Sequence, residues 1–475
     1  MKKLFLSLGV LLLALIAILL INTLRLTSKQ VPAEPVEKMA VSDQVFQNLS
    51  KAIQFKTISF NEEAVPDSAE FLGFHRFLEA TFPLVHSQLT LEKINTYSLL
   101  YKWQGTDPSL KPIILMSHQD VVPVDEPTLQ QWEAGPFEGK ITDTHIIGRG
   151  TLDDKGTLMG VLEAVEKLLS ENYVPARTIY IASGHDEEVG GPNGAGMIAE
   201  HLKKQGVQAA MTLDEGGYFA EGLVPGLSGP VAMINLGEKG FASFRLIVRT
   251  NGGHSSAPPK ENTIGILAKA IVDLENNQLP YKLVPPIDAQ LEYLGPELPF
   301  LPRIAFANPW LFKSQLLEGL NAHTTTAPTI IDGGVKNNVI PTVAEATINF
   351  RILPGETIES VQAHIESIVS DKVTVEPVGF LTNPPAVSRV DSEPYRILEK
   401  TIRNLHPETI VVPGLLGGAT DSRYFTEISD EVYRFYPIRI DKESMERFHG
   451  IDEKISKENY KEIIQFSYHL IKNFQ

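Results

Sequence analysis

The chain has 475 residues, 43% of them apolar and 21% charged, enough for two or three packed domains and too apolar for wholesale disorder. Forty-two Lys and Arg against 58 Asp and Glu give a formal charge of −16, which argues against a nucleic-acid partner, since phosphate neutralisation needs a basic face. Twelve His and no Cys exclude thiolate metal sites, disulfides and cysteine nucleophiles, so any transition-metal site must be built from His, Asp and Glu.

Lys2 and Lys3 precede an uncharged stretch, Leu4 to Ile21, with Arg25 and Lys29 beyond it. A bilayer core takes about 20 apolar residues as a helix, and a signal-peptide core about 7–15. Residues 1–25 are therefore expected to be a single-pass membrane anchor, with the body outside the cytoplasm. The alternative is a cleaved signal that leaves a periplasmic or secreted protein. Residues 26–40 are polar and contain prolines, and read as a linker.

From residue 41 onward, short apolar runs alternate with amphipathic segments of helical period. PIILMSH, THIIGRG, RTIYIASG and AAMTLDEGG read as strands, GTLMGVLEAVEKLLSEN and GAGMIAEHLKKQG as helices. That alternation predicts an α/β domain with a mostly parallel sheet and helices on both faces. His118 with Asp120, Asp153 with Asp154, Glu187 with Glu188, and Asp214 each follow one of these runs. They should gather at the carboxyl edge of the sheet, where such folds bind ligands. Singly, each acid reads as a helix cap or a solvated loop residue. Four sets on one edge would repel one another, so a cation is expected among them. Gly194 to Ala199 matches G-x-G-x-x-A, but eleven residues, Ser183 to Asn193, separate it from the preceding strand; a dinucleotide turn must be tight, so that reading is rejected.

Between 236 and 378 the order β-α-β-β-α-β predicts a ferredoxin-like α+β domain that interrupts the α/β domain of 41–235 and 379–475. It carries an unusually long connection, residues 279–321, rich in proline and large apolar side chains. Phe300, Leu301, Phe306, Trp310 and Phe312 either pack a satellite core or dimer contact, or wall a pocket for a fatty-acyl group. Gly417 and Gly418 in GLLGGATDSRYF allow close backbone approach, so their N–H groups could bind a carboxylate or carbonyl; the alternative for this loop is that Asp421 and Arg423 pair structurally. His145, His185 and His323 read as ordinary strand or loop residues.

SHQDVVPV, GRGTLDDKG, GHDEEVGG, LDEGG, NGGHSS and FHGIDE together resemble the M20 family of co-catalytic zinc metallopeptidases, from about residue 45 to the C-terminus. The likeness is in particular to its Gly-Xaa carboxypeptidase and N-fatty-acyl-amino-acid synthase/hydrolase branch. It implies two zinc ions per subunit and hydrolysis of an amide bond next to a free carboxylate, in a small peptide or an N-acyl amino acid. His118, Asp153 and Asp214 would hold one ion; Asp153, Glu188 and His449 would hold the other. Imidazole and carboxylate ligands suit zinc. Asp120 would orient the His118 imidazole, and Glu187 would be the general base for the attacking water. Asp154 would cap the next helix, after a cis peptide from Asp153. The resemblance also implies that the interrupting domain is a lid that commonly forms a homodimer. His254 would then stabilise the oxyanion across the interface, and Asn338 and Arg351 would hold the substrate carboxylate, for which the arginine fork is apt. The rival reading is a non-catalytic, membrane-anchored binding protein on the same fold.

Overall fold

The computed structural model of the protein describes residues 2–61 and 64–475. Its main sheet has ten strands. At the centre, Ile179–Gly184, Ile113–His118, Met211–Asp214 and Val432–Arg434 lie side by side and parallel. Antiparallel strands Ser98–Trp103 and Thr90–Ile94 extend one edge. On the other side Val231–Glu238 pairs antiparallel with Val432–Arg434 and Phe219–Ala220, and parallel with Ile410–Leu416. The sheet is therefore mixed rather than mostly parallel; the central strands that end at His118, Gly184 and Asp214 keep the parallel arrangement.

Burial follows the period-2 geometry of a strand covered on both faces. Ile113 and Leu115, with Ile179 and Ile181, face one layer, which holds Leu158, Leu162 and Val165 of the helix Lys155–Ser170 and Ile463 and Ile464 of Lys457–Asn473. Ile114 and Met116, with Tyr180 and Ala182, face the helix Ala195–Lys204 through Ala195, Ile198 and Leu202. Glu163 lies on the first of these helices, where its carboxylate accepts from Asn48 at 2.7 Å. Burial, reinforced by Glu166, pushes its pKa up to about 7. An unfolded glutamate ionises near 4.3. Between those values the unfolded chain has lost a proton that the folded chain keeps, so stability falls as pH rises through this window and is level above it. Glu163→Gln is expected to remove that slope, with a gain of order 1–2 kcal/mol at pH 8 and none at pH 4. Denaturant melts at both pH values read it; identical slopes in the two proteins would refute it.

THIIGRG departs from expectation. His145–Ile147 does not join the main sheet but forms a separate three-stranded sheet with Lys140–Ile141 and Lys454–Ser456. The loop that carries Asp153 is thus tied to the far C-terminal segment rather than to the central strands.

A second sheet holds Thr325–Gly333, Val343–Ile352, Gly240–Arg249 and Val373–Thr382 in that spatial order, all antiparallel. The helices Thr263–Asn276 and Ile358–Ile368 cover one face and close a separate core around Phe244, Leu246, Leu267, Ile348, Phe350 and Ile365. The connection 279–321 folds into three short helices, Pro285–Leu294, Phe300–Ala307 and Pro309–Gly319.

Residues 26–40 are not a slack linker. Gln30 exchanges two hydrogen bonds with the Val411 backbone (2.7 and 2.8 Å), Glu34 N–H donates to Asn404 Oδ1 at 2.7 Å, and the Met39 backbone pairs with the Gln465 side chain.

Candidate metal centre

Three loops at the carboxyl ends of neighbouring strands converge with two further segments, the loop of Asp153 beyond the separate small sheet and the loop of His449. His118 is the last residue of its strand and is 2% exposed. Its Nε2 lies 2.8 Å from Asp153 Oδ1 and 3.3 Å from Glu215 Oε1. The other oxygen of Asp153 lies 2.9 Å from His449 Nε2, and Glu188 Oε2 is 3.3 Å from the same nitrogen. One carboxylate thus stands between two imidazoles, each flanked by a glutamate.

Asp120 organises this side of the site. Its two carboxylate oxygens accept the Glu187 and Glu188 backbone N–H groups, both at 3.1 Å, which fixes the pair of glutamates. The His118 Nδ1 lies 3.0 Å from the Asp120 carbonyl and 3.3 Å from its carboxylate, so the backbone as well as the side chain orients the ring. The left-handed glycine that follows, Gly191 (φ 70°), is required by packing: a Cβ there would lie 1.8 Å from Asp421 Oδ1.

The segment carrying His449 is held by a pair that the sequence reading did not single out. Glu453 is buried and accepts from Arg149 Nη1 at 2.6 Å, Gly150 N–H at 3.0 Å and Leu152 N–H at 2.8 Å. Arg149 also donates to the His449 and Gly450 carbonyls at 3.1 and 2.8 Å. This clasp joins the loop before Asp153 to the loop of His449, whose φ of 55° is unusual for a residue with a side chain. Both residues stand inside quoted motifs, GRG and FHGIDE; that they face one another is visible only in three dimensions.

Two expectations are corrected. Asp214 does not reach the cluster: its Oδ2 accepts the Ser422 N–H at 2.8 Å, and the next residue, Glu215, stands at His118 instead. Successive side chains alternate sides of a strand, so at its last residue a shift of one exchanges which acid faces the site. Asp154 does not cap the helix after it; its Oδ2 accepts the His118 N–H at 3.3 Å. The Asp153–Asp154 peptide is cis.

The electrostatics ask for a cation. Burial first, and then neighbouring negative charge, pushes Glu188 and Glu215 up to about 7 and lifts Glu187, Asp154 and Asp421 well above the carboxylate range. Asp153 is buried too, but hydrogen bonds from His118 and His449 hold it low. His449 is pushed up to about 10 by its bonds to Asp153 and Glu188. Among the described residues, the compact groups of potential ligands are His118, Asp153 and Glu188, and His118, Asp154 and Glu215. Imidazole nitrogen and carboxylate oxygen are a donor set that fits zinc.

A cleft of about 680 Å³ opens beside Glu188, lined on the other side by Phe241, Ser243, Val378 and Phe380 of the second sheet. Arg351 stacks on Phe241, its guanidinium carbon 4.7 Å from the ring centroid, at the side of this cleft. An apolar pocket of about 180 Å³ adjoins Glu215, walled by Tyr218, Leu416, Tyr436, Ile438, Ile440, Met445 and Phe448. Gly417 and Gly418 follow Leu416 with open space around them. His254 and Asn338 lie apart, on an exposed ribbon where Gly253–His254 pairs with Val339–Ile340; His254 Nδ1 bonds Ser256. No hydrogen bond or ion pair among the described residues links either to the cluster. Asp421 and Arg423 form no ion pair; Arg423 donates to the Thr420 carbonyl and stacks on Phe380 and Tyr424.

The sequence pattern of peptidase family M20/M25/M40 matches residues 114–473, which contain every residue of this cluster. The chain belongs to that family. It is 41% identical to a probable carboxypeptidase S-like 2 of Dictyostelium discoideum, over 98% of this chain and 92% of that protein. It is 42% identical to the human N-fatty-acyl-amino acid synthase/hydrolase PM20D1, over 90% of this chain and 86% of that protein. A solved M20 metallo-carboxypeptidase, Sso-CP2 from Sulfolobus solfataricus, shares the fold with a TM-score of 0.68 at 20% identity, covering 91% of this chain and 99% of that one. The M20 chain is a hydrolase of the metallopeptidase class.

Proposed function

We propose that the chain is a membrane-anchored, two-zinc hydrolase of N-acyl amino acids with an apolar acyl group. The placement of Asp153 between His118 and His449, with Glu215 and Glu188 at their sides, carries the metal assignment. His118, Asp153 and Glu215 would hold one ion and Asp153, Glu188 and His449 the other. Metal held by these residues would supply a lowered pKa for a water and polarisation of the scissile carbonyl. Glu187 takes the proton of the attacking water and returns it to the leaving amine. Arg351 receives the substrate carboxylate as a fork, with the Gly417 and Gly418 amides as further donors, and Asn338 of the exposed ribbon as a donor to the site of a second copy. The second sheet closes over the cleft as a lid, and the exposed ribbon carries His254 to the oxyanion of a second copy, in a homodimer.

The acyl preference rests on the apolar pocket beside Glu215. It contains no residue of 279–321, and Phe300, Leu301 and Trp310 are exposed. Of the two readings of that connection, the acyl wall is thus given instead to Tyr218 and residues of 416–448. At about 180 Å³ the pocket takes part of a chain, below the roughly 300 Å³ of a full drug-sized site. KM is expected to fall severalfold per two carbons, from about 0.8 kcal/mol per buried CH₂, and to level off once the pocket is full. Met445→Asp should abolish that dependence. Zinc content, light-scattering mass and hydrolysis of N-acetyl, N-octanoyl and N-oleoyl amino acids beside dipeptides test the proposal. No more than one zinc after full loading removes the two-metal assignment. Good turnover of dipeptides, with kcat/KM flat in acyl length, leaves a plain carboxypeptidase, and no turnover at all leaves the binding protein.

A further inference from the structure

The second half of the N-terminal helix, Lys2–Arg25, is not isolated from the body. Its residues that are not exposed, Leu15, Leu19, Asn22 and Thr23, recur at intervals of three and four, with Leu26 beyond, and so form one stripe. That stripe meets the connection 279–321. Asn22 Nδ2 donates to Asn308 Oδ1 at 2.8 Å, Asn308 Nδ2 donates to the Leu19 carbonyl at 3.2 Å, and Leu26 reaches Gly295. Asn308 is completely buried and joins the helices Phe300–Ala307 and Pro309–Gly319.

Those two helices keep large apolar side chains outside. Phe300 is 50% exposed, Leu301 77%, Trp310 59% and Leu311 44%. A soluble protein does not usually gather such residues on adjoining turns without a partner. Within the N-terminal helix beside them, Lys3–Arg25 is a stretch of 23 residues of membrane-spanning length, unburied over its most apolar window. From Leu19 to Leu26 the contact covers about 10 Å of helix, against a hydrocarbon core of about 30 Å. Arg25 and Lys313 are exposed on the N-terminal helix and on Pro309–Gly319, basic groups that anionic headgroups attract.

We infer that the helices Phe300–Ala307 and Pro309–Gly319 are a second membrane element, sunk into the leaflet crossed by the C-terminal half of the anchor. The inference rests on the anchor reading above. Its occupant is the lipid surface itself: the patch continues the lipid-facing surface of the N-terminal helix, and the asparagine pair satisfies the polar groups at the junction. Because residues 29–39 are strapped to the body, the two elements together fix how the cleft faces the membrane. An amphiphilic substrate then reaches the cleft from the bilayer side.

The full chain, reconstituted in phosphatidylcholine–phosphatidylglycerol vesicles, tests this with lipids brominated at shallow acyl positions. Trp310 should be quenched, whereas Trp103 and Trp132 are 5% and 8% exposed and should not be. Trp310→Phe should therefore reduce the bromine-sensitive emission severalfold at unchanged protein content. Equal quenching of the two proteins, with the chain still resistant to carbonate extraction, overturns the inference and leaves the anchor standing. Release by carbonate, or a mature N-terminus beyond residue 25, overturns the anchor and the inference with it. A dimer lost in Trp310→Asp, without bromine quenching, gives the patch to a second copy and also overturns it.

Discussion

Glu187→Gln is expected to keep its full metal content and to lose at least 10²–10⁴-fold in kcat, the range that general-base assistance supplies. Glu187 lies beside Glu188 but outside both compact ligand groups, and its backbone is fixed by Asp120 whatever its side chain is. Gln preserves volume and polarity and removes only the proton acceptor. Asp153→Ala is the contrasting case. Its two oxygens face different imidazoles, so one truncation should strip both ions and abolish turnover together with metal content. Metal analysis beside single-turnover kinetics separates the two variants. A Glu187→Gln enzyme with near wild-type kcat would show that another group takes the proton.

Glu453→Gln should weaken metal binding without touching a ligand. The carboxylate accepts from the Arg149 guanidinium and from three backbone N–H groups on the stretch leading into Asp153. Gln offers one acceptor oxygen and places an amide donor against other donors, leaving the buried Arg149 charge without its partner. Breaking a buried pair in this way costs about 3–5 kcal/mol. The His449 loop, whose carbonyls Arg149 also holds, should loosen, so zinc at the Glu188–His449 side should be lost first. Chelator titration reads this as a weakened class of sites, and a denaturant melt reads the lost stability. Unchanged melts and unchanged zinc retention would show that the clasp is dispensable.

The sequence by itself determined the chemistry of this protein and the elements that present most of it. His118, Glu187 and Glu188 follow apolar runs whose alternation is buried on both faces, and a strand with both faces covered can release functional residues only at its end. The β-α-β-β-α-β order of the second sheet was legible for the same reason, since local periodicity and chain order are properties of the string. The tertiary structure decided whatever depends on a boundary of one residue or on contacts between distant segments. Whether Asp214 or Glu215 faces His118 turns on where a strand stops, because side chains change sides at every residue. The Arg149–Glu453 clasp joins residues 304 positions apart, and no local pattern encodes such a meeting. Residues 26–40 read as polar linker because their hydrogen-bond partners, Val411, Asn404 and Gln465, lie hundreds of residues away. The apolar residues of 279–321 declared their hydrophobicity but not their direction: packing placed them beside the N-terminal helix, while residues 416–448 came to wall the pocket at Glu215.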